Sequence, residues 1–508
     1  MRLYAIIAAL GSVLAAPFLI AAQAPAAPAG EIPAEVELQL GDLLAAEARF
    51  RDAADAYQRA AGAADAAVRR RARAGLALSL LRVGDFDGAR NQAEALVKEP
   101  SPQAALYSLY GDTLWAVGLF DEAEQAYDSA LGLDGGDARA HNGRARSLLA
   151  HSRADEAMAE AGEAVKLAPR DPEFHHTAGV IQERQHRYDE AAAAFANYLN
   201  LLPNRDRSEK ALWTRAEIRF LDSFKGRTPV EVVGGERVWT VPIRIAGDKV
   251  LVTVKVNGGG ASEFVLDTGA EQTVVSRDIA RRRGIVPITY MQSAGVGDVG
   301  MRGLQVGRLD SLEVGALKVR NVPCLIKNPP LGELPSREPE SFSPLALGLS
   351  MRVDYARREL VMARALPETR YGTELPLRLY RLATVRGIVN GRPATFVVDT
   401  GGELISISAA TAGQVTVPGA FRRIPLKVYG TSGWDKDAFL LPNVDLEFES
   451  IRFSKIPVVV LNLNAPSALL GFQLGGIVGH KFLSQYRVSI DLNRSVVGLD
   501  SLDSTSSQ

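Results

Sequence analysis

A fixed alanine spacing constrains the first half of this chain more than any other feature. Ala89, Ala123, Ala157 and Ala191 are each 34 residues apart, and Ala53 precedes Ala89 by 36. A hydrophobic or small residue recurs four positions after each: Tyr57, Ala93, Tyr127, Ala161 and Phe195. Twelve positions before each lie Gly41, Ala77, Gly111, Ala145 and Gly179. Pro169 and Pro203 stand twelve residues after their alanines, where a helix has to stop. Small residues at two fixed positions let paired helices approach closely, and aromatics fill the space between pairs. The surrounding Ala, Leu, Arg and Glu fall at helical spacing with few β-branched residues, which predicts helices throughout. The pattern predicts five stacked helical hairpins over 34–205. A terminal helix and linker at 206–228 would cover the last exposed face.

After Thr228 the texture changes to short alternating runs such as Val250–Val256, rich in Val, Ile, Thr, Gly and Pro. These predict strands with frequent turns, as in a barrel or sandwich. The segment is also duplicated. Val241-Pro242-Ile243-Arg244 lies upstream of Phe264-Val265-Leu266-Asp267-Thr268-Gly269, and Leu375-Pro376-Leu377-Arg378 lies upstream of Phe396-Val397-Val398-Asp399-Thr400-Gly401. Gly348 and Gly479 follow the two aspartates by 81 and 80 residues. Two lobes are therefore expected, 229–366 and 367–502, with a disordered tail at 503–508.

Each Asp-Thr-Gly ends an apolar run, so each places one carboxylate at the end of a strand. Two carboxylates held close cannot both ionise easily; they share a proton and titrate as a unit. One member can then act as base on a water while the other acts as acid on a carbonyl. Gly269 and Gly401 suit a tight turn that brings backbone near the reacting centre. Gly295-Val296-Gly297 in the first lobe and Tyr429-Gly430 in the second sit in Gly-rich hairpin candidates that could serve as flaps.

The 34-residue pattern resembles the tetratricopeptide repeat. The segment Asp267 to Val274 resembles the active-site loop of retropepsin-type aspartic proteases, and the second half is similar to two such lobes in one chain. That resemblance implies an all-α repeat solenoid followed by an all-β bilobal aspartic-protease-like double barrel. It further implies an aspartic endopeptidase with Asp267 and Asp399 catalytic. Thr268 and Thr400 would bond across the lobe junction, and Gly348 and Gly479 would let the supporting strands pack tightly. No cofactor or metal is implied.

Other readings carry less. Gly295 to Gly300 spells a dinucleotide fingerprint, but no βαβ texture surrounds it. No H-E-x-x-H or G-x-S-x-G occurs. His141, His151, His175, His176 and His186 are expected to be solvated, and His480 to be a packed residue. Lys327 to Pro344 reads as a long loop. Cys324 is the single cysteine, so an internal disulfide is excluded. With 58 basic and 59 acidic residues, neither nucleic acid nor an anionic membrane is the expected partner. Arg2 followed by the apolar run Leu3–Ala22 predicts a signal peptide at 1–22, with an uncleaved anchor as its rival. A linker at 23–33 follows, and the chain is expected to be periplasmic or secreted. The expected partners are a peptide or protein substrate and a protein at the repeat groove; the rival reading of the array is a spacer or a packing platform for the second half. Three alternatives follow: a working endopeptidase in a monomer, a non-catalytic peptide-binding scaffold, or a homodimer in which each lobe pairs with its twin.

Overall fold

The computed structural model describes residues 32–206, 208–327, 340–368, 370–416 and 423–502. The expected signal peptide, nearly all of the linker, the tail and most of the 327–344 stretch lie outside them.

Eleven helices fill the first half of the described chain. They pair as α1 (Ala34–Ala46) with α2 (Phe50–Ala60), α3 (Ala66–Val83) with α4 (Phe86–Val97), and α5 (Ala104–Ala116) with α6 (Phe120–Leu133). Next come α7 (Ala138–Ala150) with α8 (Ala154–Leu167), α9 (Pro172–Arg184) with α10 (Tyr188–Leu201), and the single helix α11 (Glu209–Asp222). Side-chain caps start several of them: Asp65, Asp137, Asp171 and Ser208 each accept backbone N–H bonds from the first turn, which satisfies donors the helix cannot. The helices α8 and α10 end just before Pro169 and Pro203.

The alanine register is the contact register. Ala53, Ala89, Ala123, Ala157 and Ala191 are fully buried. A side chain at Gly41 would stand 2.6 Å from the Tyr57 ring, and one at Gly179 would stand 2.8 Å from the Phe195 ring. The Tyr127 ring lies against Gly111 of its own repeat and Gly143 of the next. Each aromatic is thus a wedge between successive hairpins, and the missing side chains are its seat.

The histidines differ from expectation. His141 Nδ1 lies 2.6 Å from Glu160, and His151 Nε2 lies 2.8 Å from Glu124. His175 bonds the Pro169 carbonyl, and His176 packs edge-on against Tyr198. Contacts within and between hairpins, invisible in a linear pattern, engage these rings, although His175 stays partly exposed.

The second half is β-rich and its duplication is visible in the pairing. Val238–Ala246 pairs first with Glu359–Ala363 and then, beyond Pro242, with Lys249–Val256. Thr373–Leu379 likewise pairs first with Val496–Ser501 and then with Ala383–Val389. The lobes are joined by Ser350–Asp354 and Tyr486–Asp491, which pair antiparallel with Arg352 opposite Ser489. The result is one continuous six-stranded sheet, three strands from each lobe. Its residues Val353, Leu360, Val488 and Leu499 belong to a single core that runs through both lobes. This sheet explains why two copies within one chain face each other: their relative placement is fixed by main-chain hydrogen bonds.

The helical array is packed onto both lobes. Against the second lobe, Trp115, Phe120, Phe472 and Leu474 form one buried cluster, with the Phe120 and Phe472 rings edge-to-face at 5.0 Å. Gln473 N–H donates to the Ala116 carbonyl at 2.7 Å, and Thr395 Oγ1 donates to the Gly118 carbonyl at 2.6 Å. Gly118 has φ +80°, and a side chain there would meet Thr395 Oγ1 at 2.9 Å. Around this seam Arg386 pairs with Glu122 at 2.8 Å, and Arg378 pairs with Asp121. Against the first lobe, Phe220 and Phe224 cluster with Val306, and Arg308 donates to the Ser223 carbonyl at 2.9 Å.

Candidate active site

The strands Ser262–Leu266 and Arg392–Val398 each run into an Asp-Thr-Gly loop. Their apolar residues point into the lobe cores, with Phe264 and Phe396 fully buried, so the next residue emerges at the lobe junction. Each aspartate is held by main chain from a neighbouring parallel strand. Asp267 N–H donates to the Phe342 carbonyl at 2.9 Å, and Asp399 N–H donates to the Val478 carbonyl at 3.0 Å.

The two loops then lock together. Thr268 N–H donates to Thr400 Oγ1 and Thr400 N–H donates to Thr268 Oγ1, both at 3.1 Å. The hydroxyls pass the bond on, from Thr268 to the Val398 carbonyl at 2.6 Å and from Thr400 to the Leu266 carbonyl at 2.7 Å. Both threonines are buried, so this closed ring of four bonds is not exchanged for water. It brings each carboxyl over the opposite glycine. A side chain at Gly269 would stand 2.6 Å from the Asp399 carboxyl carbon, and one at Gly401 would stand 2.6 Å from Asp267 Oδ1. Only glycine fits at either place.

The electrostatics follow from that approach. Gly269 N–H donates to Asp267 Oδ1 at 3.1 Å; Gly401 and Gly402 N–H donate to Asp399 Oδ1 at 2.8 and 2.9 Å. Desolvation raises the Asp267 carboxyl to about 7, and the neighbouring Asp399 charge and a hydrogen bond to it act in the same direction. A bond from Ser341 works against the shift. One proton is therefore retained between the two carboxyls across the mildly acidic range.

The glycines assigned to supporting strands fare differently. In the second lobe Val398 pairs with Val478, and Gly479 follows directly; a side chain there would meet the Leu404 carbonyl at 2.6 Å. In the first lobe Leu266 pairs with Phe342, so the residue in that role is Ser343, which is fully buried. Gly348 instead ends the short helical turn Pro344–Leu347 with φ +68° and is exposed. It does not back the Asp267 loop, and Ser341–Phe342, expected as part of a loop, is a strand. The spacing to the two glycines agrees numerically because the lobes differ in the segment between strand and turn.

Both Gly-rich hairpins form. Thr289–Ser293 pairs with Arg302–Val314 around a tip that contains Gly295, Val296 and Gly297. Val428–Gly430 pairs with Gly433–Asp435, with Tyr429 opposite Trp434. The tips are joined to each other. Ser432 N–H donates to the Val296 carbonyl at 2.9 Å, Val299 N–H donates to the Ser432 carbonyl at 3.1 Å, and Gly295 N–H donates to Ser432 Oγ at 3.0 Å.

Behind the Asp267 loop lies a chamber of about 970 Å³, lined by the inner helices α3, α5, α7, α9 and α11 and by Thr268, Ala270, Glu271 and Gln272. The inner face of the repeat array thus looks toward the lobes. Within it Arg381 bonds Glu271 Oε2 at 2.8 Å and the Leu469 carbonyl at 3.0 Å. Ser341, Ser343 and Glu271 were not singled out by sequence. The signal for the serines was present in the alignment of the two copies, once Phe342 rather than Gly348 is set opposite Val478.

Residues 252–350 match the sequence model of the aspartyl protease family, and residues 385–485 match that of the gag-polyprotein aspartyl protease. Tetratricopeptide repeat matches cover 38–105, 75–138, 109–172 and 143–206. The first half is a tetratricopeptide array and the second carries two retropepsin-like domains. No curated protein matches the chain. Among solved structures, the repeat protein TTC0263 of Thermus thermophilus is 21% identical over 36% of this chain and 98% of its own, with TM-score 0.32. YrrB, described as a repeat protein with an unusual peptide-binding site, is 16% identical over 35% of this chain and 90% of its own, with TM-score 0.23. Pseudomonas aeruginosa pilF is 14% identical over 37% and 84%, with TM-score 0.28.

Proposed function

We propose that this chain is an aspartic endopeptidase that hydrolyses peptide bonds with a water activated between Asp267 and Asp399. The observation that carries this reading is the reciprocal Thr268–Thr400 ring, which holds two carboxyls face to face with one retained proton. In the first step the ionised carboxylate takes a proton from the water as its oxygen adds to the peptide carbonyl carbon. The protonated Asp267 hydrogen-bonds the carbonyl oxygen and stabilises the charge that develops there. The amide nitrogen then takes a proton from the pair as the C–N bond breaks, and the pair returns to its singly protonated state.

The two hairpin tips are suited to act as flaps. They must part to admit a chain, and closing them would exclude bulk water from the reaction. The inner face of the array is turned to the lobes, so the array is read as part of the substrate path, more than as a groove for an unrelated regulator. Location outside the cytoplasm rests on Arg2 and the apolar run Leu3–Ala22. Fractionation of expressing bacteria with N-terminal sequencing of the mature chain tests it; a cytoplasmic protein that keeps Met1 would refute it.

The activity test uses an unfolded protein as substrate. The monomeric full-length chain should cleave it, and Asp267→Asn and Asp399→Asn should each abolish cleavage. Retained cleavage in both variants, or binding without turnover at every pH tested, would overturn the reading in favour of a peptide-binding scaffold.

A further inference from the structure

The chamber between the repeat array and the lobes contains two carboxyls that no ion pair holds, with the Arg184 and Arg381 guanidinium groups near them. Glu183 ends the inner helix α9, Glu217 lies on α11, and Glu271 follows the Asp267 loop; all three line the cavity. Arg381 is committed to Glu271 and the Leu469 carbonyl. Arg184 is committed to the carbonyls of Leu379 and Tyr380. Among the described residues neither Glu183 nor Glu217 has an ion-pair partner, and Glu217 Oε1 is buried without a hydrogen bond.

A second observation points the same way. Asn142 on α7 lines the same chamber, is 7% exposed, and its Oδ1 has no partner. Gln272 Oε1 is likewise buried and unpartnered. Glu217 Oε1, Asn142 Oδ1 and Gln272 Oε1 are acceptors, while Arg146 Nε and His186 Nδ1 on the same lining are also unpartnered. A buried acceptor without a donor costs about 1–3 kcal/mol, so the three acceptors together favour a ligand that brings donors. Among the described residues no three carboxylate, imidazole or thiol groups converge as metal ligands would. The donor that fits is therefore organic, and the Trp115, Tyr188 and Tyr380 rings on the walls can take an alkyl stem.

We propose that this chamber binds an organic cation carried by a peptide, with Glu183 and Glu217 as the recognising carboxylates. The cation is an ammonium or guanidinium group, from a basic side chain or from a peptide N-terminus. Because Thr268 and Ala270 also line the chamber, a peptide lying beside the Asp267 loop can place such a group there. The chamber would then set a preference for substrates with a positive charge at a fixed distance from the cut. That last step rests on the proposed endopeptidase reading; recognition of the cation does not.

The groups that face this pair are Arg184, Tyr188, Glu271 and Arg381. Burial is the largest cause that lifts both carboxyls, Glu183 to about 7; the Glu183 charge also raises Glu217, and Glu271 raises both. A bound cation favours their ionised forms, so binding in mildly acidic solution has to release protons.

The test is calorimetry on the full-length Asp267→Asn chain, which removes turnover. Three peptides share one sequence: one acetylated and amidated with a single lysine, one with norleucine in its place, and one with norleucine and a free N-terminal ammonium. The lysine or the free-ammonium peptide should bind at least about tenfold more tightly than the blocked norleucine peptide. Which of the two does so identifies the source of the cation. Added Glu183→Gln or Glu217→Gln should remove the preference. Titration of the same Asp267→Asn chain at pH 6 in two buffers of different ionisation enthalpy should show proton release with the cationic peptide alone, and needs no further variant to fold. Equal binding of all three peptides, a preference that survives both Gln variants, or no proton release would overturn the proposal. If the parent chain cleaves nothing while the preference persists, the endopeptidase reading falls and the cation site stands.

Discussion

Thr268 and Thr400 each donate a backbone N–H to the other's side-chain oxygen at 3.1 Å, across 132 residues of sequence. The hydroxyls have no other role: each points its own proton at a carbonyl beneath the opposite loop. The pair therefore fixes the separation of the carboxyls that follow from it. Thr400→Val keeps the shape and removes the oxygen. It leaves the Thr268 N–H buried and unpaired, which costs about 1–3 kcal/mol. We expect a lower Tm and a loss of kcat larger than any change in KM. Thr400→Ser keeps the oxygen and should restore most of both. Thermal melts and peptide-cleavage kinetics on the two variants check this; equal behaviour of Val and Ser would remove the ring from the account.

The raised Asp267 carboxyl gives a second prediction, with a definite sign. In an unfolded chain an Asp titrates near about 3.9. In the native protein burial and the Asp399 charge lift Asp267 to about 7. Between those values the folded state keeps a proton that the unfolded state has lost. The associated stability is full at low pH and is lost as pH rises through about 7. Asp267→Asn carries no such proton. Its Tm relative to the parent should therefore rise between pH 4 and pH 8. Cleavage by the parent should fall over the upper part of the same window, because the acid of the pair is then ionised. A Tm difference that is flat with pH would contradict the assignment.

Much of this arrangement is legible in the sequence. The alanine register named residues that prove fully buried, and the wedge aromatics Tyr57, Tyr127 and Phe195 sit on the glycines the pattern paired them with. Periodicity reports contacts that recur, and these recur. The junction was legible for a related reason: a duplicated Asp-Thr-Gly writes the same local chemistry twice. Gly348 was misread because equal spacing does not fix strand register, and Ser343 occupies the place opposite Gly479. The docking of the array was not legible at all. Trp115, Phe120 and Phe472 look like ordinary core residues of their own segments, and only three-dimensional packing shows that they bury one another. The pairing of Glu271 with Arg381 is hidden for the same reason.

The flap contact yields a third prediction. Ser432 is joined to the opposite tip through its N–H, its carbonyl and its hydroxyl. Ser432→Ala removes the hydroxyl and leaves Gly295 N–H without its acceptor. The net loss is about 0.5–1.5 kcal/mol, enough to shift tip opening by roughly tenfold at the upper end. Amide hydrogen exchange at Val299 and Ser432 should accelerate accordingly, while Tm changes little. Unchanged exchange at both amides would mean that the tips are held by something other than these bonds.

The seam between array and lobes separates backbone strain from close approach. Gly84 and Gly118 both have left-handed backbone, with φ +84° and +80°. Nothing lies within 4 Å of where a Gly84 side chain would start, whereas at Gly118 Thr395 Oγ1 and the Gln473 carbonyl lie at 2.9 and 3.0 Å. Gly84→Ala should therefore cost only the conformational term, about 1–2 kcal/mol. Gly118→Ala should add the cost of overpacking, for a total of about 2–5 kcal/mol. It also pushes apart the hydrogen bonds of Thr395 to Gly118 and of Gln473 to Ala116. The array would then loosen from the second lobe, and the chamber beneath α5 would open. Melting of Gly118→Ala should split into two transitions, and limited proteolysis should cut near 116–119 in that variant and not in Gly84→Ala. If the two variants melt alike, the array is held by the aromatic cluster of Trp115, Phe120 and Phe472 without help from this turn.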